Sequence, residues 1–436
     1  MSRTLWTIAS CIAVGLAPSR GEASNDRTAT PVPSVAPMSA AASQASSVAA
    51  KATAPAPRAR DLGIPFDGKP GPLNAITDVQ GVQIGQVTLI EDLPDGHKVR
   101  TGLTAILPRG HDTYDTPVFG GWSPLNGNGE MTGTAWIDEG GEVEGPIVTT
   151  STHSVGVVRD GVIAARVKAG KPDASGYWWS LPVVAETWGG ELNDENGFHI
   201  RPEHVLQALA DAKGGAVAEG NVGGGTGMIC HEFKCGIGTA SRQIDVGGHA
   251  YIVGVLVQAN YGVRDTLRIA GVPVGQFLRN DRVYSDPAVW GPNAAAAPHM
   301  HAPDGDVRDT GSIIVVVATD APLLPSQLKR LARRAGHGVA RMGSYSGNGS
   351  GDLFVAFSTA NRDAMKDEPL QSAQFVGNDH LDPLFLGTVE ATEEAIVNAM
   401  VAARDMQGEG SRYAKAIAHE QLVALLKKFN RYQSQK

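Results

Sequence analysis

Cysteine is scarce. The chain has three in 436 residues, and Cys11 falls in the leading apolar segment, which leaves only Cys230 and Cys235 beyond it. A disulfide scaffold is therefore excluded. The pair reads as two reduced thiols, with a local disulfide open to it in an oxidising compartment. Basic runs are also missing: Lys and Arg number 37 against 45 Asp and Glu, a net charge of -8, which speaks against nucleic-acid binding. Past the leader, no stretch approaches the roughly 18 apolar residues of a membrane span. Two tempting motifs each lack a part. The glycine run at 220–227 (GNVGGGTG) has no Gly-Lys-Ser/Thr ending to cradle a phosphate. His231-Glu232-Phe233-Lys234-Cys235 lacks the second histidine of a zinc helix. His299, His301, Asp304 and Asp306 have no rigid element to hold them around a metal. No metal and no cofactor are expected.

What is present is a large globular chain behind a leader. Hydrophobic residues make up 42% and charged residues 19%, ample for a large core, and 53 glycines predict many tight turns. Residues 1–23 read as a secretory signal, with Arg3, an apolar run over 5–16 and small residues up to Ala23. That points to a periplasmic or secreted protein. Ile8-Ala9-Ser10-Cys11 imitates a lipoprotein box but comes too early in the chain. Residues 24–60 are alanine, proline, serine and threonine with scarcely a large apolar side chain. Such a segment cannot bury enough surface to offset its ordering entropy, so it is predicted to be a disordered linker. Residues 61–436, without repeats or a second linker, read as one domain.

Within that domain strands and helices mix. Val82, Ile84, Val87 and Leu89 mark strands, and 147–158 (IVTTSTHSVGVV) reads as another, followed by helix at 164–168. Residues 125–141 (LNGNGEMTGTAWIDEGG) predict a turn-rich loop running into a short strand. Buried strands are expected at 181–188, 250–258, 312–318 and 353–360, and helices at 202–213, 328–340 and 413–429. The stretch 384–390 (LFLGTVE) precedes a helix over 391–403, with Thr392 as its N-cap. The long polar segment 279–309 is either disordered or a lid. The fold class is α/β or α+β, in layers.

The stretch that promises chemistry is 341–361 (RMGSYSGNGSGDLFVAFSTAN). A glycine-rich turn delivers Ser350 between two glycines at the mouth of a buried strand, where another backbone or a substrate can approach closely. The nucleophile-elbow pattern does not fit, because Asn348 stands where a glycine is required. The Gly349 carbonyl has no Cβ to shield it, so the Ser350 hydroxyl can attack it and form an ester that water opens. Elsewhere, Glu186 and Trp188 end one strand and Asn260 another. Read by type alone these are an edge acid, a core aromatic and a turn former.

The NGSG segment resembles the self-cleavage site of the L-aminopeptidase D-amidase/D-esterase family, which includes the β-peptidyl aminopeptidases, and the likeness extends over most of the chain. The resemblance implies scission of Gly349–Ser350 into chains 61–349 and 350–436, with Ser350 as an N-terminal nucleophile. It also implies Asn260 as oxyanion donor and Glu186, walled by Trp188, as receiver of the substrate ammonium. Thr388 and Glu390 match a hydroxyl–glutamate pair that assists the nucleophile, with threonine where serine is usual. The family's fold is a four-layer αββα sandwich, its members are typically homotetramers, and its substrates are small peptides and amino-acid amides or esters. Two other readings stand beside it: an ornithine acetyltransferase-like acyltransferase of the same fold, against which Ser350 and the signal count, and a non-catalytic secreted binding domain.

Overall fold

Two parallel crossovers, one in each of two stacked sheets, set the architecture. A computed structural model describes residues 56–169, 176, 179–279, 309, 311–366, 368–410 and 412–434. The expected signal, almost all of the expected linker and nearly all of 279–309 lie outside the described residues. In the first sheet, β5 (Ile147–Ser151) runs through α2 (Val155–Ala169) to pair in parallel with β6 (Val183–Thr187). In the second, β11 (Ser312–Thr319) runs through α5 (Pro325–Arg341) to pair in parallel with β12 (Gly351–Ser358). Parallel neighbours need such a return path, and the helix that supplies it covers the sheet face.

The first sheet is completed by β1 (Gln83–Asp92) and β2 (Lys98–His111), in the order β1-β2-β5-β6. The second adds β3 (Val118–Gly127), β4 (Glu142–Val143), β9 (Ile237–Val246) and β10 (His249–Asn260), in the order β4-β3-β12-β11-β10-β9. Val158 of α2 and Val205 of α3 (Pro202–Ala210) bury the outer face of the first sheet. Helices α5 and α6 (Asp382–Val401) do the same for the second, joined by Val274 of the short α4 (Val274–Phe277) and Leu422 of α7 (His419–Lys428). Strand β11 shows why its sequence is apolar throughout. Ile313, Val315 and Val317 face the helices, while Ile314, Val316 and Ala318 face the other sheet. The result is the expected αββα sandwich, with a core between the sheets and one under each helical layer.

Local departures have physical causes. The strand read over 147–158 stops at Ser151, because Val155, Val158 and Val162 recur at helical spacing and pack under the first sheet. The short strand expected within 125–141 is replaced by α1 (Thr134–Gly140), and β3 extends to Gly127. Helix α6 starts at Asp382 with Pro383 in its first turn, so 384–390 is helical and Thr392 lies mid-helix rather than at the N-cap. The helix is buried on almost every side, which erases the amphipathic period that would have marked its start. Order also begins before Asp61. Ala59 is buried, Arg58 pairs with Glu219 at 2.7 Å, and Arg60 pairs with Glu394 at 2.8 Å.

Cys230 and Cys235 are joined in a disulfide, correcting the reading of two free thiols. The zinc-like stretch is a tight hairpin of β7 (Ile229–Cys230) and β8 (Phe233–Lys234), turned by His231 at φ 48° and Glu232 at φ 60°. Two consecutive left-handed residues are what a two-residue hairpin turn requires, and normally glycine or asparagine supplies them. The bridge supports a costly turn. Replacing both cysteines with alanine is expected to lower stability by about 2 kcal/mol, the loop-closure value for so short a ring. Denaturant unfolding of the double variant against wild type measures it.

Candidate active site

Ser350 is the last residue before β12 and is completely buried. Its N–H donates to the Gly347 carbonyl at 2.8 Å, closing the turn. Its Oγ donates to Asp352 Oδ1 at 2.6 Å. Residues two apart on a strand share a face, so Ser350 and Asp352 lie on the side of Phe354 and Ala356, toward the helices. Burial pushes the Asp352 carboxyl up to about 6, with the Ser350 hydroxyl pulling the other way. Asp352 Oδ2 is buried without a hydrogen bond of its own.

The segment after β3 grips the Gly349–Ser350 peptide from outside. Asn128 N–H donates to the Ser350 carbonyl at 3.1 Å, and Asn128 Nδ2 donates to the Gly349 carbonyl at 2.7 Å. Asn126 Nδ2 holds the carbonyls of Ser346, at 3.1 Å, and Gly347. A Cβ at Gly351 would stand 2.4 Å from the Asn128 carbonyl oxygen, so this grip requires glycine after the serine.

Glu186 is the penultimate residue of β6 and faces the same segment. Its Oε1 accepts the Glu130 N–H at 2.9 Å and its Oε2 accepts the Thr152 hydroxyl. Burial raises its pKa, and the two donors partly offset that. It makes no ion pair with any described residue. Gly129 joins the two halves of the site: a Cβ built there would be 3.2 Å from Glu186 Oε1 and 3.2 Å from Gly351 Cα. Trp188 is half-buried and meets His153 edge-on at 5.4 Å, and His153 stacks on the exposed Phe198 at 6.1 Å. These rings form an aromatic side beside Thr152.

Asn260, at the end of β10, is level with Ser312, which is level with Gly351. Two strand spacings therefore separate it from Gly351, roughly 10 Å. Its Oδ1 accepts the Ile229 N–H at 2.8 Å and its Nδ2 donates to the Trp188 carbonyl at 2.9 Å. One amide hydrogen remains unassigned.

The structure does not bring Thr388 and Glu390 to Ser350. The Thr388 hydroxyl donates to the Leu384 carbonyl within α6 at 2.9 Å, and Glu390 pairs with Arg242 at 3.4 Å. Strand pairing puts Arg242 level with Val253, Thr319 and Ser358, at the far end of β12. That is seven residues from Gly351, on the order of 23 Å along the strand. Both residues brace α6 in the fold. The sequence reading missed Asp352 and Asn128, which do touch Ser350. A carboxylate two places after the serine in an otherwise apolar strand was a usable signal. Asn128 gave none, since NGNG predicts only a turn.

An αββα sandwich of this kind is the Ntn hydrolase fold, and the class of protein is a serine aminopeptidase. The relatives agree. Beta-peptidyl aminopeptidase BapA of Sphingosinicella microcystinivorans is 51% identical over 389 residues, covering 88% of this chain and 95% of that protein. The BapA of Sphingosinicella xenopeptidilytica is 46% identical over 391 residues, covering 87% and 94%. The L-aminopeptidase D-Ala-esterase/amidase of Ochrobactrum anthropi, described as a prototype of the serine aminopeptidases and a variant of the Ntn hydrolase fold, superposes with a TM-score of 0.77. It is 46% identical, with 86% of this chain and 99% of that one covered. Residues 74–413 match peptidase family S58, and the chain belongs to that family.

Proposed function

We propose that the protein cleaves itself at Gly349–Ser350 and then removes N-terminal residues from short peptides, amides or esters through an acyl-enzyme on Ser350. The observation that carries the reading is Glu186, a buried carboxylate with two donors and no cation, one exposed glycine away from the cleavage point. An ammonium taken from water without a partner costs several kcal/mol, so a free N-terminus is selected here and a blocked one refused. The freed α-amine of Ser350, with an ordinary pKa near 7.7–8.0, takes the hydroxyl proton as Oγ attacks the substrate carbonyl. The remaining Nδ2 hydrogen of Asn260 serves the oxyanion. The amine then returns its proton to the leaving group, and water opens the ester.

Among N-terminal residues, the β-peptidyl activity in the relatives' names favours β-amino acids as substrates. Trp188, beside the carboxylate, is the residue we assign to shaping that choice. The disulfide supports export to an oxidising compartment, as does the leader sequence. A panel of β-alanyl, L-alanyl and D-alanyl anilides, each free and N-acetylated, tests the reading with purified protein. Free amines should be hydrolysed, the β-alanyl compound included, and acetylated ones left intact. Turnover of acetylated substrates at the rate of free ones would overturn it.

A further inference from the structure

We propose that Lys234 is a positioning residue for peptide turnover, its buried ammonium holding the one peptide group that orients the amide of Asn260. The proposal rests on the reading of Asn260 as the oxyanion donor. Lys234 lies in β8 and has no exposed surface. Its Nζ donates to the carbonyls of Met228 at 2.7 Å, Cys235 at 2.6 Å and Gly225 at 3.4 Å. Three acceptors match the three N–H groups of a protonated lysine, whereas a neutral amine has only two to give. Burial lowers its pKa, and the three carbonyls favour the charged form. Among the described residues no carboxylate pairs with it. A buried ammonium answered only by main-chain carbonyls is costly to keep. The hairpin does not need it for closure, because the Cys230–Cys235 disulfide already spans the turn.

The Met228 carbonyl is one end of a planar peptide group whose other end is the Ile229 N–H. That N–H donates to Asn260 Oδ1 at 2.8 Å, while Asn260 Nδ2 donates to the Trp188 carbonyl at 2.9 Å. A continuous line of hydrogen bonds therefore runs from the ammonium, through one peptide, into the Asn260 side chain. It ends at the Nδ2 hydrogen that no described group takes. The line acts first on orientation. With the Met228 carbonyl gripped, the plane of the peptide is fixed and its N–H is aimed at Oδ1, which sets which way the amide faces. It acts also on strength. A cation on the carbonyl makes the N–H a better donor, and an amide whose oxygen accepts a strong bond donates better from its nitrogen. Away from water, both effects reach the atom that would meet the developing oxyanion. Main-chain ties keep the hairpin from drifting. The His231 N–H donates to the carbonyl of Tyr261, next to Asn260, at 2.7 Å, and the Lys234 N–H donates to the Lys415 carbonyl at 2.8 Å.

The test is a double-mutant cycle on the full-length enzyme, with steady-state kinetics on a free β-alanyl anilide and thermal melts to establish folding. Asn260→Ala is expected to lower kcat by about 100–1,000-fold, the range for one oxyanion donor. Lys234→Met keeps the stem and removes the ammonium. It should lower kcat about tenfold and leave KM unchanged, because the bond it supports forms only in the transition state. Lys234→Gln still donates to a carbonyl but carries no charge, and its kcat should fall between those of Lys234→Met and wild type. In the Asn260→Ala background, Lys234→Met should change kcat by less than about twofold, since a residue that acts through Asn260 then has nothing to act on. If Asn260→Ala keeps the wild-type kcat, the oxyanion reading fails and takes this proposal with it. If Asn260→Ala is slow, the proposal alone is overturned by wild-type kcat in folded Lys234→Met, or by an equal loss in both backgrounds. Should Lys234→Met fail to fold, Lys234→Gln enters the same cycle. If neither folds, Lys234 serves only the fold and the proposal falls.

Discussion

Ser350→Ala is expected to abolish both activities at once. The chain should migrate as a single band, and hydrolysis of a free aminoacyl anilide should fall on the order of 10⁴–10⁶-fold, the usual cost of losing a nucleophile. The substitution is mild structurally. It removes one hydroxyl from a buried site and leaves the Gly347 turn and the Asn128 contacts, all of which use the main chain. Wild type should instead give a small fragment whose sequence begins at Ser350. A different first residue would mean that another group performs the cut.

Glu186→Gln is expected to separate the two activities. Self-cleavage involves no free ammonium, so processing should continue. Turnover of peptides should drop by about 2–4 kcal/mol of transition-state binding, the range for breaking a desolvated charge pair. Glutamine keeps an oxygen for the Glu130 N–H, and the Thr152 hydroxyl, which can also accept, can turn to receive the new amide hydrogen, so the pocket should hold its shape. The pH dependence has a definite sign. Burial raises the Glu186 pKa above that of an ordinary glutamate, so in the free enzyme the charged form is lost sooner as pH falls. The acid limb of kcat/KM should therefore be displaced upward in wild type and missing in the glutamine variant. Full turnover by a processed Glu186→Gln enzyme would show that the amine is held elsewhere.

Legibility in the sequence followed the clarity of each segment's apolar pattern. Strand β11, apolar on both faces, and helix α5, with Leu328, Leu331, Ala332 and Ala335 buried along one face, were read almost to their ends. Helix α6 was misread at its start because it is buried on almost every side, and Thr388 and Glu390, matched by resemblance alone, fall inside it. A motif spacing of two suggests a shared side in a strand, whereas on a helix it points the two side chains apart. Residue type drew attention to Ser350, Glu186 and Asn260, each of which the structure places at or beside a strand end. The site was illegible where it depends on which loop closes over which turn. Nothing within 125–130 announces that Asn128 would meet a carbonyl more than two hundred residues away.

The position of β12 has a consequence for what the cut would leave behind. This strand is interior to the second sheet, paired to β11 on one side and β3 on the other, and its chain continues into α6 and α7. Scission at its head would therefore produce two polypeptides that share one core, with no surface along which to part. The small piece alone would be one long strand, two helices and a short hairpin, with nothing for the strand to lie against. The large piece alone would have a slot through the middle of its sheet. Maturation of this kind is irreversible in assembly as well as in chemistry: the halves can be made only by folding first as one.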